Sequence, residues 1–363
     1  MRIVIKVGTS TLTTKDGLLN RKYISDLVDK VVELQKDNHE ILIVSSGAVA
    51  AGRFRFGGNF KAVTLRDKQA FAAVGQPLVM NAYSNAFAKY GKVVAQLLLT
   101  REVFDKRINY INARNTLSTL LKSKVTPIMN ENDSVSIDEL NFGDNDTLAS
   151  LVAAAIDADE LIIFTDVDGF YRGNPSTSSI IPRIEKITEE IENFASRNSS
   201  SGKGTGGMKT KISAAKIAAA SGVDTIITNG LKLNLLKDIV SGRQQAGTII
   251  KAKKHCLGAK KSWIAFSKKT KGTIFVDTIA EEVLLNKGKS LLASGIVKIS
   301  GNFQRGDTVN IANVETGKDF ARGLTNYNSE NLEKIKSKKT LDMRKIINII
   351  EDEIIHRDNM VIL

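Results

Sequence analysis

The sequence predicts an α/β fold: an open, mainly parallel sheet with helices on both faces, followed by a small C-terminal β-rich domain. Two observations carry this. From Arg2 to Ile250, short apolar β-branched runs alternate with longer stretches whose apolar residues recur at helical spacing. Buried parallel strands read as near-continuous apolar runs, and helices connect them. After Lys251 the texture changes to short strands broken by glycine turns, the pattern of a compact β unit.

RIVIKV (2–7) is the first strand, and Tyr23, Leu27, Val31 and Leu34 then mark one face of a helix. EILIVSS (40–46) is the second strand, with a helical pattern from Val49. KVVAQLLL (92–99), VTPIM (125–129), ELIIFT (160–165) and DTIITN (224–229) are further buried strands. Helical stretches near 64–90, 112–124, 145–158 and 207–221 separate them. The expected domains are 1–250, a lysine-rich linker at 251–270, and 271–363.

The chain has 363 residues, 42% hydrophobic and 25% charged, the balance of an ordinary globular protein of one large or two smaller domains. One cysteine, Cys256, rules out an internal disulfide and suits a reducing compartment. No apolar run approaches the roughly 20 residues of a bilayer span, and Lys6 interrupts the N-terminal run too early for a signal peptide. The expected setting is the cytoplasm, with no membrane partner. The net charge of +13 is uneven: residues 251–363 hold 21 Lys+Arg against 13 Asp+Glu. Eight lysines and no acid fall within 251–271, which fits either a solvated linker or a nucleic-acid patch.

In open α/β sheets, ligands bind beyond the carboxyl ends of the strands. Those ends carry Gly8–Thr9–Ser10, Ser45–Ser46–Gly47, Asn130–Asp133 and Thr165–Asp166. All are small, polar or acidic, which a purely structural sheet does not require. Lys6 points from the first strand toward the Gly8 turn, either as a snorkelling surface group or, better suited to a short apolar strand, as a phosphate contact. Ser46 and the amides of Gly47 and Ala48 fall at a helix start, either as an N-cap or as an anion site. Asp144, Asn145 and Asp146 precede or open another helix; three adjacent polar residues exceed what one cap needs. SSSGKGTGGMKTK (199–211) runs from small residues and glycines directly into a helix. The stretch is either a flexible linker or an anion cradle made by glycine backbone amides and about half a positive charge at the helix start, with Lys209 and Lys211 adding full charges. The stretch does not match a Walker A loop.

The three histidines, at 39, 255 and 356, avoid every strand end. Histidine-dependent nucleophilic catalysis and zinc clusters are therefore poorly supported. Phosphoryl transfer to a carboxylate fits better, because a carboxylate with a reference pKa near 4.3 is already an anion and needs no base.

Together KVGTS (6–10), SSGAVAAGR (45–53), AAVGQ (72–76), LLLTR (97–101), NARNTL (112–117), NENDSV (130–135), GDNDTLAS (143–150), TDVDGFY (165–171) and GTGGMKTK (204–211) resemble the glutamate 5-kinases of the amino acid kinase family. SLLASGI (290–296), GNFQRGD (301–307) and HRDNM (356–360) resemble the PUA domain and C-terminal end that many of these enzymes carry. The resemblance implies ATP-dependent phosphorylation of the glutamate γ-carboxylate, the first step toward proline, with Mg²⁺ carried on the nucleotide and no protein-held metal. It implies that Lys6 and Lys211 stabilise the transferring group and that Asp146 orients them. Ser46, Gly47, Ala48, Asn130, Asp133 and Asn145 would bind glutamate, with Asp133 at the α-ammonium and Asn145 with the amides at a carboxylate. Lys6, Gly8, Thr165, Asp166, Thr205, Gly206, Gly207, Met208, Lys209, Thr210 and Lys211 would line the ATP site. It further implies a homo-oligomer and proline as an inhibitor acting near the 136–142 loop. Another amino acid kinase, acting for example on N-acetylglutamate, and an RNA-binding protein are the alternatives.

Overall fold

The computed structural model describes residues 1–14, 17–57, 64–135, 145–173, 178–197, 207–243, 246–252, 261, 264–265, 270–338, 340–346 and 351–363. The chain divides into two compact units, Met1–Cys256 and Leu257–Leu363.

The first unit is built on an eight-stranded sheet. Its strands are β1 (Arg2–Lys6), β2 (Glu40–Val44), β3 (Val94–Leu99), β4 (Thr126–Glu131), β5 (Glu160–Thr165), β6 (Arg183–Ile184), β7 (Asp224–Asn229) and β8 (Thr248–Ile250). In space they run β3-β4-β2-β1-β5-β7-β8-β6. Every pair is parallel except β7–β8. The six strands expected from sequence are present. The edge strand β6 and its neighbour β8, two and three residues long, give too short an apolar run to register as strands. β2 ends at Val44 rather than Ser46 because Gly47 turns the chain at φ 88°, a conformation that costs glycine little.

β1 lies mid-sheet, and residues Ile3–Ile5 are wholly buried. The chain builds β2 and β4 on one side of it and then places β5 on the other. The helix joining β4 to β5, α7 (Asn145–Ala155; helices are numbered α1 to α10 through this unit), must therefore cross the sheet. Its sequence suits that course: all residues from Leu148 to Ala155 are buried, and a helix apolar all round belongs in a core. Its first turn lands above the end of β1, where the strand order reverses and α/β sheets hold their ligands.

Helices α3 (Ala48–Arg55) and α4 (Leu65–Ala88) cross at unusually close range. A Cβ added at Gly52 would lie 1.8 Å from the Phe71 carbonyl oxygen, and one at Gly75 would lie 1.8 Å from the Ala48 carbonyl oxygen. The contact is backbone against backbone, so neither partner can swing aside. It fixes Ala48, at the start of α3, against the turn of α4 that carries Gln76.

The second unit holds a five-stranded sheet of β9 (Gly272–Val276), β10 (Ile296–Gly301), β11 (Thr308–Asn313), β12 (Asp319–Leu324) and β13 (Met360–Ile362), ordered β10-β9-β11-β12-β13. β9 and β11 are parallel and the other pairs antiparallel. The strands and glycine turns follow the sequence expectation, with helices added at Ser329–Ile335 and Thr340–Ile346. Thr278–Lys287 is a helix as well. The Asp277 side chain accepts the Ala280 N–H at 2.7 Å and Gly288 ends it at φ 55°, a capped start and a glycine stop.

The α3–α4 crossing makes the fold testable away from charged groups. Gly75→Ala is expected to cost about 2–3 kcal/mol or more, the upper range for forced overpacking. Urea denaturation followed by circular dichroism measures it; an unchanged midpoint would show that the helices separate freely.

Candidate active site

Lys6 ends β1, Ser45 and Ser46 follow β2, Asn130 and Glu131 end β4, and Thr165 ends β5. All therefore gather at one edge of the sheet, beneath the start of α7. Helix α9 (Met208–Ala220) brings Lys211 to the same place.

The centre of the arrangement is Asp146, whose side chain has no exposure. Lys6 Nζ approaches Oδ1 at 2.7 Å, as an ion pair without hydrogen-bond alignment. Lys211 Nζ donates to Oδ2 at 3.1 Å. Both lysines are themselves buried, at 7% and 6% side-chain exposure. Burial alone would push the Asp146 carboxyl up, but Lys6 and Lys211 outweigh it and hold the group below the usual range. It is the anion that keeps two cations out of water. Thr210 Oγ lies 3.1 Å from Oδ2 and 2.7 Å from the Gly207 carbonyl, so it can steady the carboxylate. The helical period separates the two lysines of the glycine loop: Lys211 faces inward and Lys209 is exposed. Gly8 passes directly over Lys6, since a Cβ there would sit 3.6 Å from Nζ.

One residue before Asp146, an amide network begins. Asn145 Nδ2 donates to the Ser45 carbonyl at 2.9 Å, to Ser46 Oγ at 2.9 Å and to Asn130 Oδ1 at 3.0 Å. Three acceptors share its two hydrogens. The opposite amide orientation would set Oδ1 against the Ser45 carbonyl, oxygen to oxygen, so the assignment is forced. Oδ1 is buried without a donor among the described residues. As drawn, Asn145 has an acceptor to spare and no donor, which suits an ammonium better than the carboxylate expected from sequence. Asn130 Oδ1 also accepts the Glu131 N–H at 2.9 Å, and Asn130 Nδ2 donates to Gln76 Oε1 at 2.9 Å. Ser46 does not cap α3: Gly47 occupies that position, with no side-chain cap bond.

Beside this network lies a cavity of about 240 Å³, lined by Ala48, Gln76, Gln96, Glu131, Asp133 and Ser134 among others. Burial, with Glu131 nearby, pushes the Asp133 carboxyl up to about 6. A carboxylate held in such surroundings is poised for a cation.

On the other side of Lys6, Thr165 Oγ lies 3.1 Å from Asp166 Oδ1, and Asp166 is exposed. Gly207 caps α9 and Met208 opens it, half-buried. Thr205, Gly206, Asp144 and the 136–142 loop lie outside the described residues. So do most of the 251–270 linker and its Cys256. Among the described residues no cluster of three or more His, Cys, Asp or Glu side chains could hold a metal ion. No helix among them is long and apolar enough to cross a membrane.

The description "Amino acid kinase family" matches residues 1–229, and "PUA domain" matches 272–347. A protein named glutamate 5-kinase from Caldanaerobacter subterraneus subsp. tengcongensis is 45% identical over 367 aligned residues, covering 100% of this chain and 98% of its own. One of the same name from Geobacter sulfurreducens is 44% identical over 366, covering 100% and 97%. The chain belongs to the glutamate 5-kinases of the amino acid kinase family.

Sequence reasoning passed over several polar residues that the structure brings to this edge of the sheet. Gln76 is a buried amide on the apolar face of α4, at helical spacing from Ala72, Val79 and Tyr83; a lone polar residue in such a stripe was the available signal. Glu131 was passed over inside NENDS. Asp168, Asn229 and Lys232 form a further polar group at the ends of β5 and β7, with Lys232 Nζ at 2.8 Å and Asn229 Nδ2 at 2.9 Å from Asp168 Oδ1. Lys232, then Asn229, hold that carboxyl below its usual range. No spacing rule links these three in the sequence.

Asp146→Asn keeps the shape at the centre but removes the carboxylate that the buried Lys6 and Lys211 share. Breaking a buried pair in this way costs about 3–5 kcal/mol. Chemical denaturation at pH 7 should show a loss of that size. The gap should narrow in acid: a carboxyl held low in the folded chain contributes stability above its unfolded pKa and loses it as pH falls through the folded one.

Proposed function

We propose that this chain transfers the γ-phosphoryl group of ATP to the γ-carboxylate of L-glutamate, giving L-glutamyl 5-phosphate and ADP in proline biosynthesis. The observation that carries this is the buried Lys6–Asp146–Lys211 trio, one residue along the chain from the Asn145 amide network. Cations for a phosphoryl group thus adjoin groups suited to an amino acid.

The P–O bond to ADP breaks and a P–O bond to the glutamate carboxylate forms. No proton moves, so no general base is called for, and histidine is not needed. The barrier is the approach of two anions and the charge on the transferring group, both lowered by fixed cations. Lys6 and Lys211 take that role, and Asp146 orients them. Gly8, Thr165, Asp166 and residues 207–211 line the nucleotide site, and Mg²⁺ arrives on the nucleotide as part of the substrate. Asp133 takes the α-ammonium, with Asn145 Oδ1 as a second acceptor. Ser46, Asn130 and the Gly47 and Ala48 amides complete the amino-acid side.

N-acetylglutamate has no ammonium and leaves Asp133 unmatched, so that alternative fits less well. RNA binding gives the buried trio no work. Proline carries the same ammonium and α-carboxylate without an acceptor for phosphate, which supports inhibition by occupation of the amino-acid side.

Lys211→Ala should lower kcat by ~10³–10⁵, the scale for removing a cation from a phosphoryl transfer, while the KM for glutamate changes far less. A coupled ADP-release assay measures both. Near-normal kcat would remove Lys211 from the chemistry.

The Asp133 carboxyl must be ionised to bind an ammonium. With its value near 6, kcat/KM for glutamate at saturating ATP should fall as pH drops below about 6. That is well above the ordinary carboxyl of glutamate itself. Asp133→Asn should remove the inflection and weaken glutamate by roughly 1.5–3 kcal/mol. A pH profile that Asp133→Asn leaves unchanged would contradict the assignment.

A further inference from the structure

The amide network has a direction, and following it reaches a residue given no role so far. The Ser45 carbonyl can only accept, so Asn145 must offer it Nδ2. The Glu131 N–H can only donate, so Asn130 must offer it Oδ1. That leaves Asn130 Nδ2 for Gln76, and Gln76 must meet it with Oε1, at 2.9 Å. Backbone groups at both ends fix every amide between them. The Gln76 amide nitrogen is therefore turned away from the network. Gln76 lines the same cavity as Asp133 and Glu131, and its Nε2 donates to no group among the described residues. The residue is 7% exposed, so the donor is held in place rather than waving in solvent.

We infer that Gln76 is a specificity-determining residue whose Nε2 hydrogen-bonds the α-carboxylate of the amino-acid substrate, while Asp133 takes the ammonium. The inference rests on the glutamate kinase reading and adds the group that recognises the second charge of the zwitterion. A cavity walled by the two acids Glu131 and Asp133 would otherwise repel a carboxylate. A fixed neutral donor facing them gives it a place, and a preorganised hydrogen bond to a charged group is among the stronger ones.

The test compares two substrates that share the ammonium and the γ-carboxylate: L-glutamate and its α-carboxamide, L-isoglutamine. Wild-type enzyme should prefer glutamate in kcat/KM. In Gln76→Glu one oxygen can still accept from Asn130, and the other faces the cavity, repelling a carboxylate and accepting from a carboxamide. The preference should fall at least tenfold, through KM for glutamate rather than KM for ATP. Asn130→Asp supplies an independent variant should the first fail to fold. Its added oxygen accepts where Asn130 donated, so Gln76 turns Nε2 inward and shows Oε1 to the cavity, with the same loss of preference. Any effect of the new charge on the ammonium cancels in the ratio.

An unchanged glutamate-to-isoglutamine ratio in a folded, active variant overturns the role of Gln76. A wild-type enzyme that turns over neither compound overturns the kinase reading itself. A loss of kcat for both substrates alike, with the ratio kept, marks Gln76 as structural only and also overturns the inference.

Discussion

One carboxylate between two buried lysines is the constraint on which the site depends. Charges without water are costly unless paired at close range, and Asp146 pairs both Lys6 and Lys211. Among the described residues, the trio of Lys6, Asp146 and Lys211 carries one positive charge more than negative. That excess is tolerable in the ligand-free chain because the Asp146 carboxylate is fixed by both lysines. It becomes useful when a phosphate arrives, since cations already in position need no reorganisation at the moment of transfer. Three elements must then agree to within ångströms: β1 must end at Lys6, α7 must begin beside it, and α9 must turn Lys211 inward.

The sheet topology makes that agreement possible. Because β4 and β5 lie on opposite sides of β1, α7 has to cross, and only its first turn is free to present polar groups. Asn145 and Asp146 are neighbours in sequence but face different tasks. Asn145 is tied back to the ends of β2 and β4 through Ser45, Ser46 and Asn130, and Asp146 to the end of β1 and to α9. The helix start is thus pinned from both halves of the sheet. On the amino-acid side the Gly52 and Gly75 contacts hold α3 and α4 together at backbone distance, which keeps Gln76 within reach of Asn130.

Much of this was legible in the sequence. Long apolar runs gave the central strands, and polar residues at four strand ends marked the ligand edge, because both follow from burial and topology alone. Lys211 turns inward because it shares a face with Ala214, Ala215 and Ala218, whereas Lys209 does not; the sequence reading assigns both lysines to the anion cradle. Residue chemistry alone could not separate the roles within Asp144–Asn145–Asp146, which only the family resemblance distinguished. Any of the three could cap the helix, and the choice depends on which side of the sheet each faces. The donor sense of Asn145 was equally hidden, since it is imposed by a backbone carbonyl a hundred residues away. The helix Thr278–Lys287 carried its caps in plain sequence, but the glycine-rich strands around it dominated the pattern.

The two sides of the Asn145–Asp146 step carry opposite electrical character, and under the proposed assignment that difference would orient the substrate. Asp133 has its carboxyl raised by burial and by Glu131. Such a group binds its proton more readily folded than unfolded, so stability falls as pH rises from its ordinary range through about 6. At neutral pH the ligand-free chain therefore keeps an ion that its surroundings oppose. An ammonium reverses that sign by giving the carboxylate a partner. Across the step, Lys6 and Lys211 oppose a further cation and welcome an anion. An amino acid with an ammonium at one end and a carboxylate at the other has one favourable direction in this field, ammonium toward Asp133 and distal carboxylate toward the lysines. The opposite direction would set like against like at both ends. Under the proposed assignment, the field would bring the accepting oxygen to the phosphoryl group before any shape complementarity is invoked.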